Sequence, residues 1–308
     1  MNPASKSSIN IIIGQTASSK NALASHLAGL IDAEIISVDS MKIYRNMDIG
    51  TSKPSVEQRK KTRYHLIDIV NPWESYNVAE FVKDCDSAIA DIIKRGKKPL
   101  LVCGTPLYLK ALLYGIFSGL SSSPELRAEL EKTASEKGLD FLYEQLRKID
   151  PVRVSGADKI HPNDKKRIIR AIEVYTISGK PISSFQTHFD KEELRYQTTM
   201  VGLKRASEDL YQRIDARVER MFQQGLVDEV KGLVDSPNVL SRQAECAVGY
   251  KELIKYLKGE IKLEEAKDEV KKNTRHLAKR QMTWFRRFPQ IEWIECPPDG
   301  RAGASGTG

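Results

Sequence analysis

The chain has 308 residues, 40% of them hydrophobic, which is enough to bury a large core and excludes a disordered chain. Its net charge of +8 favours a polyanionic partner. We expect nucleic acid and not a membrane, because no apolar stretch approaches the length of a membrane span. The N-terminus lacks a signal-peptide pattern and runs straight into an apolar segment, so we expect a cytoplasmic protein. We also expect a monomer.

The spacing of the cysteines and histidines argues against structural disulfides and against a zinc site. The four cysteines are scattered without a C-x-x-C pair, and the five histidines show no metal-ligand spacing. Buried or surface thiols are the simpler interpretation.

Strands and helices alternate in the first part of the chain. Asn10 to Ile13 and Ala33 to Val38 are apolar, β-branched runs typical of buried strands, and helical spacing of leucines follows Lys20. A third strand is predicted over His65 to Val70, followed by a long amphipathic helix from Val78. Pro99 to Cys103 reads as another buried strand before a helix near Leu107. We therefore predict an α/β fold with βαβ units around a parallel sheet, and ligands at the carboxyl ends of its strands.

After residue 120 the sequence pattern changes from alternating strands and helices to helical segments. Ser123-Pro124-Glu125 is a helix start, and polar helical segments continue, so residues 121–197 are predicted to form a helical insertion lobe. Thr198 to Leu203 returns to strand character, and a last basic helix runs from about Leu263 to Arg287. The catalytic domain is accordingly assigned to residues 1–120 and 198–295, and residues 296–308 to a disordered tail.

A glycine loop between the first strand and helix is the first candidate site. The context is that in which G-x-x-x-x-G-K-[ST] cradles phosphates with backbone N–H groups and the helix N-terminus. Ser19 stands where the second glycine is expected, and Asn21 where a hydroxyl for Mg²⁺ is expected. An ordinary strand-to-helix turn stays open as the alternative. The candidate diphosphate-binding residues are Gly14, Gln15, Thr16, Ala17, Ser18, Ser19, Lys20 and Asn21.

A small-molecule kinase of the P-loop type is a competing interpretation. Phosphoryl transfer needs a metal-holding Asp on a second strand, whereas the strand ending at Cys103 is followed by Gly104 and Thr105. The acid at a buried strand end is Asp39. A diphosphate leaving group, which needs its charge neutralised but no activated phosphorus, fits these residues better.

Six separated blocks, in order from about residue 9 to 290, resemble the tRNA dimethylallyltransferase family, also called tRNA isopentenyltransferases. They include Asp39-Ser40-Met41-Lys42, Gly104-Thr105-Pro106, His161-Pro162-Asn163-Asp164, Gly249-Tyr250-Lys251-Glu252 and Lys279-Arg280-Gln281. The resemblance implies a P-loop-like sheet domain with a helical insertion, and transfer of a dimethylallyl group from dimethylallyl diphosphate to N6 of adenosine 37 in the tRNA anticodon loop. It implies Mg²⁺ as cofactor, with Asn21 in the metal-binding position.

The family positions also imply roles for individual residues. Asp39 is the expected general base, Thr105 the contact to the adenosine, and Arg217 a catalytic cation beside the departing diphosphate. On sequence alone Asp39 could as well cap a turn, and Arg217 could lie on a solvated helix face. The candidate tRNA contacts are Asp39, Ser40, Met41, Lys42, Thr105, Lys166, Arg167, Arg170, Lys279 and Arg280.

The sequence departs from the family pattern at Ser19, Asn21, Lys42 and Pro106, where the family has Gly, Ser or Thr, Gln and Gly. Because of these departures, a catalytically silent tRNA-binding homologue is the second alternative. Trp284 and Phe285, in the basic last helix, are expected to anchor the core and not to stack on bases.

Overall fold

The computed structural model describes residues 6–115, 123–156, 159–185 and 193–297. Two compact units divide the chain, the first taking Met1–Leu113 with Tyr196–Gly308 and the second Tyr114–Arg195. Most of the predicted tail, residues 298–308, lies outside the described residues.

The first unit is built on a sheet that has six strands within the described residues. Its strands are β1 Ser8–Gly14, β2 Ala33–Val38, β3 Tyr64–His65, β4 Lys98–Cys103, β5 Gln197–Lys204 and β6 Ile291–Glu295. They lie in the order β3-β2-β4-β1-β5-β6, and every pairing is parallel. The predicted parallel α/β sheet is therefore confirmed.

Helices cover the sheet because βαβ crossovers carry the chain from one parallel strand to the next. The helices of this unit are α1 Lys20–Leu30, α2 Val56–Lys61, α3 Val78–Lys94, α4 Pro106–Tyr114, α10 Ser207–Gln223, α11 Leu226–Val234, α12 Arg242–Glu245, α13 Tyr250–Leu257 and α14 Leu263–Phe285. Ala24 and Ala28 of α1 pack on Ile12 and Leu100 of the sheet. The small alanines let this helix lie close to the strands.

The third strand is shorter than the sequence predicts. Only His65 of the predicted His65 to Val70 run belongs to β3, and Val70 makes a single isolated bridge to Tyr44. Leu66 and Asp68 have φ angles of 59° and 56°. Two residues in the left-handed region end the extended backbone, so the prediction of a strand to Val70 is wrong.

The second unit is helical in its described part. It contains α5 Pro124–Glu136, α6 Leu139–Ile149, α7 Val152–Ser155, α8 Lys165–Ser178 and α9 Ile182–Phe185. Leu130, Leu142 and Ile168 belong to its own hydrophobic core. As predicted, α5 starts after the N-cap residue Ser123, whose hydroxyl accepts a hydrogen bond from the N–H of Leu126. Within the described residues of both units, no helix has the length and apolarity needed to cross a membrane.

Candidate active site

Three loops that bear predicted site residues meet because the strands before them end in register. Ile13 of β1 and Val38 of β2 both pair with Cys103 of β4, which lies between them. The N–H groups of Gly104 and Thr105 donate to the carbonyl of Val38 at 3.0 and 3.1 Å. The loops after Gly14, Val38 and Cys103 are thereby brought to one edge of the sheet, where parallel sheets place ligands.

The loop from Gly14 to Lys20 makes a tight turn into α1. A Cβ atom on Gly14 would lie 2.5 Å from the hydroxyl oxygen of Ser18, so a larger residue there would force the Ser18 side chain to shift. Ala17 and Ser19 have φ angles of 63° and 74°, in the left-handed region. The loop therefore keeps its turn without the second glycine, at the cost of two strained residues.

Arginines of α10 hold this loop from one side. Arg213 donates from Nε to the carbonyl of Ala17 at 3.0 Å, and from Nη2 to the hydroxyl of Ser19 at 2.6 Å. Arg217 donates from Nη1 to the hydroxyl of Thr16 at 3.1 Å. A cavity of about 450 Å³ lies between the loop and α10, lined by residues 17–21 together with Arg213, Arg217 and Arg220. Its positive lining, beside the N-terminus of α1, suits an anion.

The basic last helix supports the loop from another side through Gln281, which is 7% exposed. Its side-chain Oε1 accepts from the N–H of Thr16 at 2.8 Å, and its Nε2 donates to the carbonyl of Gly104 at 2.6 Å. One amide thus fixes the distance between the phosphate loop and the Thr105 loop.

Asp39 and Thr105 lie side by side. The Oδ1 atom of Asp39 accepts from the N–H groups of Met41 and Lys42, at 2.9 and 3.3 Å. The hydroxyl of Thr105 accepts from the N–H of Ser40 at 3.1 Å. The Oδ2 atom of Asp39 has no hydrogen bond or ion pair with the described residues and would lie 3.3 Å from a Cβ on Gly104. Half of this carboxylate is fixed in a turn, and the other oxygen is available to a ligand.

A second cavity, of about 540 Å³, contains both of these residues. Its wall combines Asp39 and Thr105 with apolar and aromatic side chains that include Tyr44, Tyr108 and Met221. Lys20, Asn21 and Arg217 line this cavity and also the loop cavity. The two cavities therefore adjoin at these three residues.

Basic side chains dominate the charged lining of the second cavity. Burial, together with the charges of Lys42 and Arg217, lowers the pKa of Lys20 to about 7. Burial likewise lowers the pKa of Lys42 to about 8 and that of Arg217 to about 10. Asp39 is the carboxylate that favours the charged form of all three. An anionic ligand would relieve the repulsion among these cations.

Oxygen donors for a resident Mg²⁺ are scarce. Among the described residues, no group of three or more His, Cys, Asp or Glu side chains is placed to hold a metal ion. Asp39 already uses one oxygen for two N–H groups, and Asn21 offers one amide oxygen. These side chains do not fit Mg²⁺ by themselves, and the cofactor stays a prediction.

The tRNA candidates fall into three environments. Ser40 and Met41 line the second cavity and are partly exposed, whereas Lys42 is only 8% exposed. Lys279 and Arg280 are exposed on α14, and Arg280 also lines that cavity. The remaining three candidates, in the second unit, are Lys166, Arg167 and Arg170.

Two of these three arginine and lysine residues have carboxylate partners. Arg170 pairs with the fully buried Glu173 at 2.6 Å, and Arg167 lies 3.4 Å from Asp164. Lys166 and Arg167 are exposed. The Glu173 contact gives Arg170 a structural role within its own unit.

Sequence reasoning did not single out Gln281 or Arg213 as site residues. The sequence could have indicated Gln281. It lies three residues after the buried Ala278, so helical spacing puts its amide on the buried face of α14. Arg213 lies one helical turn before Arg217 and therefore on the same face of α10. Phe285 is buried as predicted, while Trp284 is partly exposed beneath the guanidinium of Arg287.

Known proteins resemble the chain along most of its length. It is 44% identical over 292 residues to a tRNA dimethylallyltransferase of Geobacter metallireducens, covering 95% of this chain and 94% of that protein. The protein of the same name from Alkaliphilus oremlandii is 46% identical over 289 residues, with 94% and 91% covered.

Two solved structures are similar as well. The tRNA isopentenylpyrophosphate transferase of Bacillus halodurans has a TM-score of 0.68 and 39% identity, over 94% of this chain and 90% of its own. A eukaryotic dimethylallyltransferase acting on tRNA has a TM-score of 0.80 and 29% identity, over 94% and 74%. The model of the IPP transferase family matches residues 42–288. This chain belongs to the IPP transferase family.

Proposed function

We propose that this protein transfers the dimethylallyl group of dimethylallyl diphosphate to N6 of adenosine 37 in the tRNA anticodon loop. Relatives that are 44% and 46% identical carry the name tRNA dimethylallyltransferase. The family and the site lead to the same activity.

One observation carries this proposal. A positively lined cavity on the phosphate loop adjoins a mixed cavity that holds Asp39 and Thr105, and the junction is formed by Lys20, Asn21 and Arg217. A diphosphate bound on the loop would place its allylic group toward the junction, facing a base that enters the second cavity. That geometry brings the two substrates together without a covalent enzyme intermediate.

Asp39 is the general base in this proposal. As the C–N bond forms between the allylic carbon and N6, the C–O bond to the diphosphate breaks, and N6 must lose one proton. The Oδ2 atom of Asp39 takes that proton, while Oδ1 stays bonded to Met41 and Lys42. The hydroxyl of Thr105, fixed by the Ser40 N–H, orients the adenine beside it.

The departing diphosphate needs the larger stabilisation, because the allylic carbon becomes cationic as the C–O bond lengthens. Lys20, Arg217 and the N–H groups at the start of α1 supply positive charge there. The adenine of the tRNA can reach the second cavity only when it is not stacked between its neighbours, so the adenosine must be flipped out into the cavity. The exposed Lys279 and Arg280 are candidates for phosphate contacts that hold the RNA.

Three further expectations accompany this function and stay predictions. The protein acts in the cytoplasm, where its tRNA substrate is found. It works as a monomer. The family resemblance also predicts Mg²⁺, and Asn21 would be the side chain in the metal-binding position.

Product analysis tests the activity. The protein is incubated with unmodified tRNA, dimethylallyl diphosphate and Mg²⁺, and the digested nucleosides are analysed by mass spectrometry. We expect N6-dimethylallyladenosine from the wild type. Binding of tRNA without product would favour a silent homologue, and nucleotide turnover in the absence of tRNA would favour a small-molecule kinase.

A further inference from the structure

Lys42 is a buried lysine that lines the second cavity. Its side chain is 8% exposed, and its ammonium forms no hydrogen bond or ion pair with the described residues. By contrast, the ammonium of Lys20 donates to the carbonyl of Gln15 at 3.1 Å. Burying an unpaired charge costs several kcal/mol at the order-of-magnitude level, so such a group is tolerated where a ligand compensates it.

The backbone holds Lys42 in place. Its N–H donates to Oδ1 of Asp39 at 3.3 Å, so residue 42 is fixed in the same turn as the proposed base. Its side chain lines the cavity that contains Asp39, Thr105, Lys20 and Arg217. The basic side chains that line this second cavity therefore outnumber its one carboxylate.

The balance of charges in the second cavity favours a polyanion as the ligand of the Lys42 ammonium. Four basic side chains, Lys20, Lys42, Arg217 and Arg280, line the cavity with one carboxylate, Asp39, so protonated cations outnumber the negative charge. A nucleobase has no charge to offset this excess, whereas a diphosphate does, and lysine binds phosphate oxygens as a point charge. At the same junction Asn21 provides no hydroxyl for a metal ion.

We infer that the ammonium of Lys42 is a third cationic ligand of the diphosphate and supplies charge that Mg²⁺ would otherwise bring. This inference rests on the proposed function, because the diphosphate is the leaving group of that reaction. Beyond that function, the inference predicts that diphosphate still binds after Mg²⁺ is removed, because Lys42 supplies positive charge.

Calorimetric titration with inorganic diphosphate, in EDTA and in Mg²⁺, tests the inference on the wild type and on Lys42→Gln. We expect the wild type to bind in EDTA with an affinity within about threefold of that in Mg²⁺, and Lys42→Gln to lose about tenfold or more in EDTA. The variant should also regain affinity when Mg²⁺ is added. Lys83→Gln, at an exposed position of α3, controls for the loss of one surface charge and should bind as the wild type does.

Thermal unfolding without ligand separates binding from misfolding. Removing an unpaired buried charge should raise the melting temperature of Lys42→Gln while its diphosphate affinity falls. A variant that unfolds earlier than the wild type would show that Lys42 supports the fold, which overturns the inference.

Other outcomes overturn it as well. Wild-type binding that requires Mg²⁺, or unchanged diphosphate affinity with weaker tRNA binding in Lys42→Gln, would assign Lys42 to another role. If wild-type protein still yields N6-dimethylallyladenosine in those cases, the inference fails and the proposed function stands. A wild type that neither binds diphosphate nor forms product contradicts both.

Discussion

The guanidinium of Arg213 donates a hydrogen bond to the hydroxyl of Ser19 over 2.6 Å. Ser19 occupies the position where the phosphate-loop pattern has glycine, and it adopts the left-handed conformation that glycine adopts without strain. The serine therefore strains the loop and at the same time fixes an arginine beside it. The sequence pattern predicts that Ser19→Gly together with Asn21→Thr strengthens diphosphate binding, and this stays a prediction, whereas the Arg213 contact argues against a gain from the glycine alone.

Replacing Ser19 separates the two effects. Ser19→Gly should be more stable than Ser19→Ala by about 1 kcal/mol in urea unfolding, because alanine keeps the left-handed strain and glycine relieves it. Both variants lose the hydroxyl that holds Arg213, so both should bind inorganic diphosphate a few times more weakly than the wild type. Tighter binding by Ser19→Gly would mean that close approach of the backbone outweighs the arginine contact.

Gln281 links the phosphate loop to the Thr105 loop, and we expect its loss to lower both stability and kcat. Gln281→Met leaves the N–H of Thr16 and the carbonyl of Gly104 without their side-chain partner. We expect a loss of roughly 2–4 kcal/mol in the free energy of unfolding, and a lower kcat because Lys20 and Thr105 are no longer held at a fixed separation.

Urea unfolding and single-turnover kinetics measure these two effects. Gln223→Met, on the exposed last turn of α10, is the matched control and should leave both unchanged. Normal kcat in folded Gln281→Met would show that the bridge serves stability alone.

tRNA binding should depend on salt through the basic face of α14. Lys279→Gln and Arg280→Gln should each lower the slope of log affinity against log salt concentration by about 1, because each removes one phosphate contact. Filter binding over a salt series gives the slope. Lys231→Gln, exposed on α11, should leave it unchanged, and equal slopes in all variants would remove α14 from the RNA interface.

Glu34 gives a prediction for acid stability. Its carboxylate accepts hydrogen bonds from Arg95 and His65, the latter at 2.7 Å, and these partners lower its pKa from 4.5 to about 2. Because the folded-state pKa is depressed, the stabilisation is fully present above pH 4.5 and is lost as the pH falls toward 2.

Glu34→Gln should therefore be less stable than the wild type at pH 7, and the difference should shrink below pH 4.5. Urea unfolding at pH 7, 4 and 3 measures this difference. Glu260→Gln, at an exposed position, controls for the loss of one negative charge. A difference that stays constant down to pH 3 would contradict the assignment to the Glu34 carboxylate.

Central elements of the fold follow from sequence because their signals are local. The buried runs that end at Gly14, Val38 and Cys103 are bounded by turn residues, and each became a strand of the sheet. The strand β6 was not predicted. It pairs on one side only, with β5, and has a single buried residue, Ile291, so its pattern is too weak to read.

The sequence did not predict Gln281 and Arg213 as site residues because their contacts are with residues far away in the chain. The bridge from Gln281 to Thr16 joins residues 265 positions apart, and the Arg213 contact to Ser19 spans 194. No local pattern encodes either partner. The positive φ angles of Leu66 and Asp68, which ended the predicted third strand, are equally invisible because neither residue is glycine.

In the proposed reaction, the free oxygen of Asp39 removes the N6 proton during prenyl transfer. Asp39→Asn keeps the Oδ1 acceptor for Met41 and Lys42 but cannot take a proton. The direct measurement is the single-turnover rate of N6-dimethylallyladenosine formation on tRNA saturated with enzyme, compared with wild type and with Asp268→Asn as an exposed control. We predict a fall of about 100-fold or more with nearly unchanged tRNA affinity. A rate within a few-fold of the wild type would contradict the claim and leave Asp39 with a structural role in its turn.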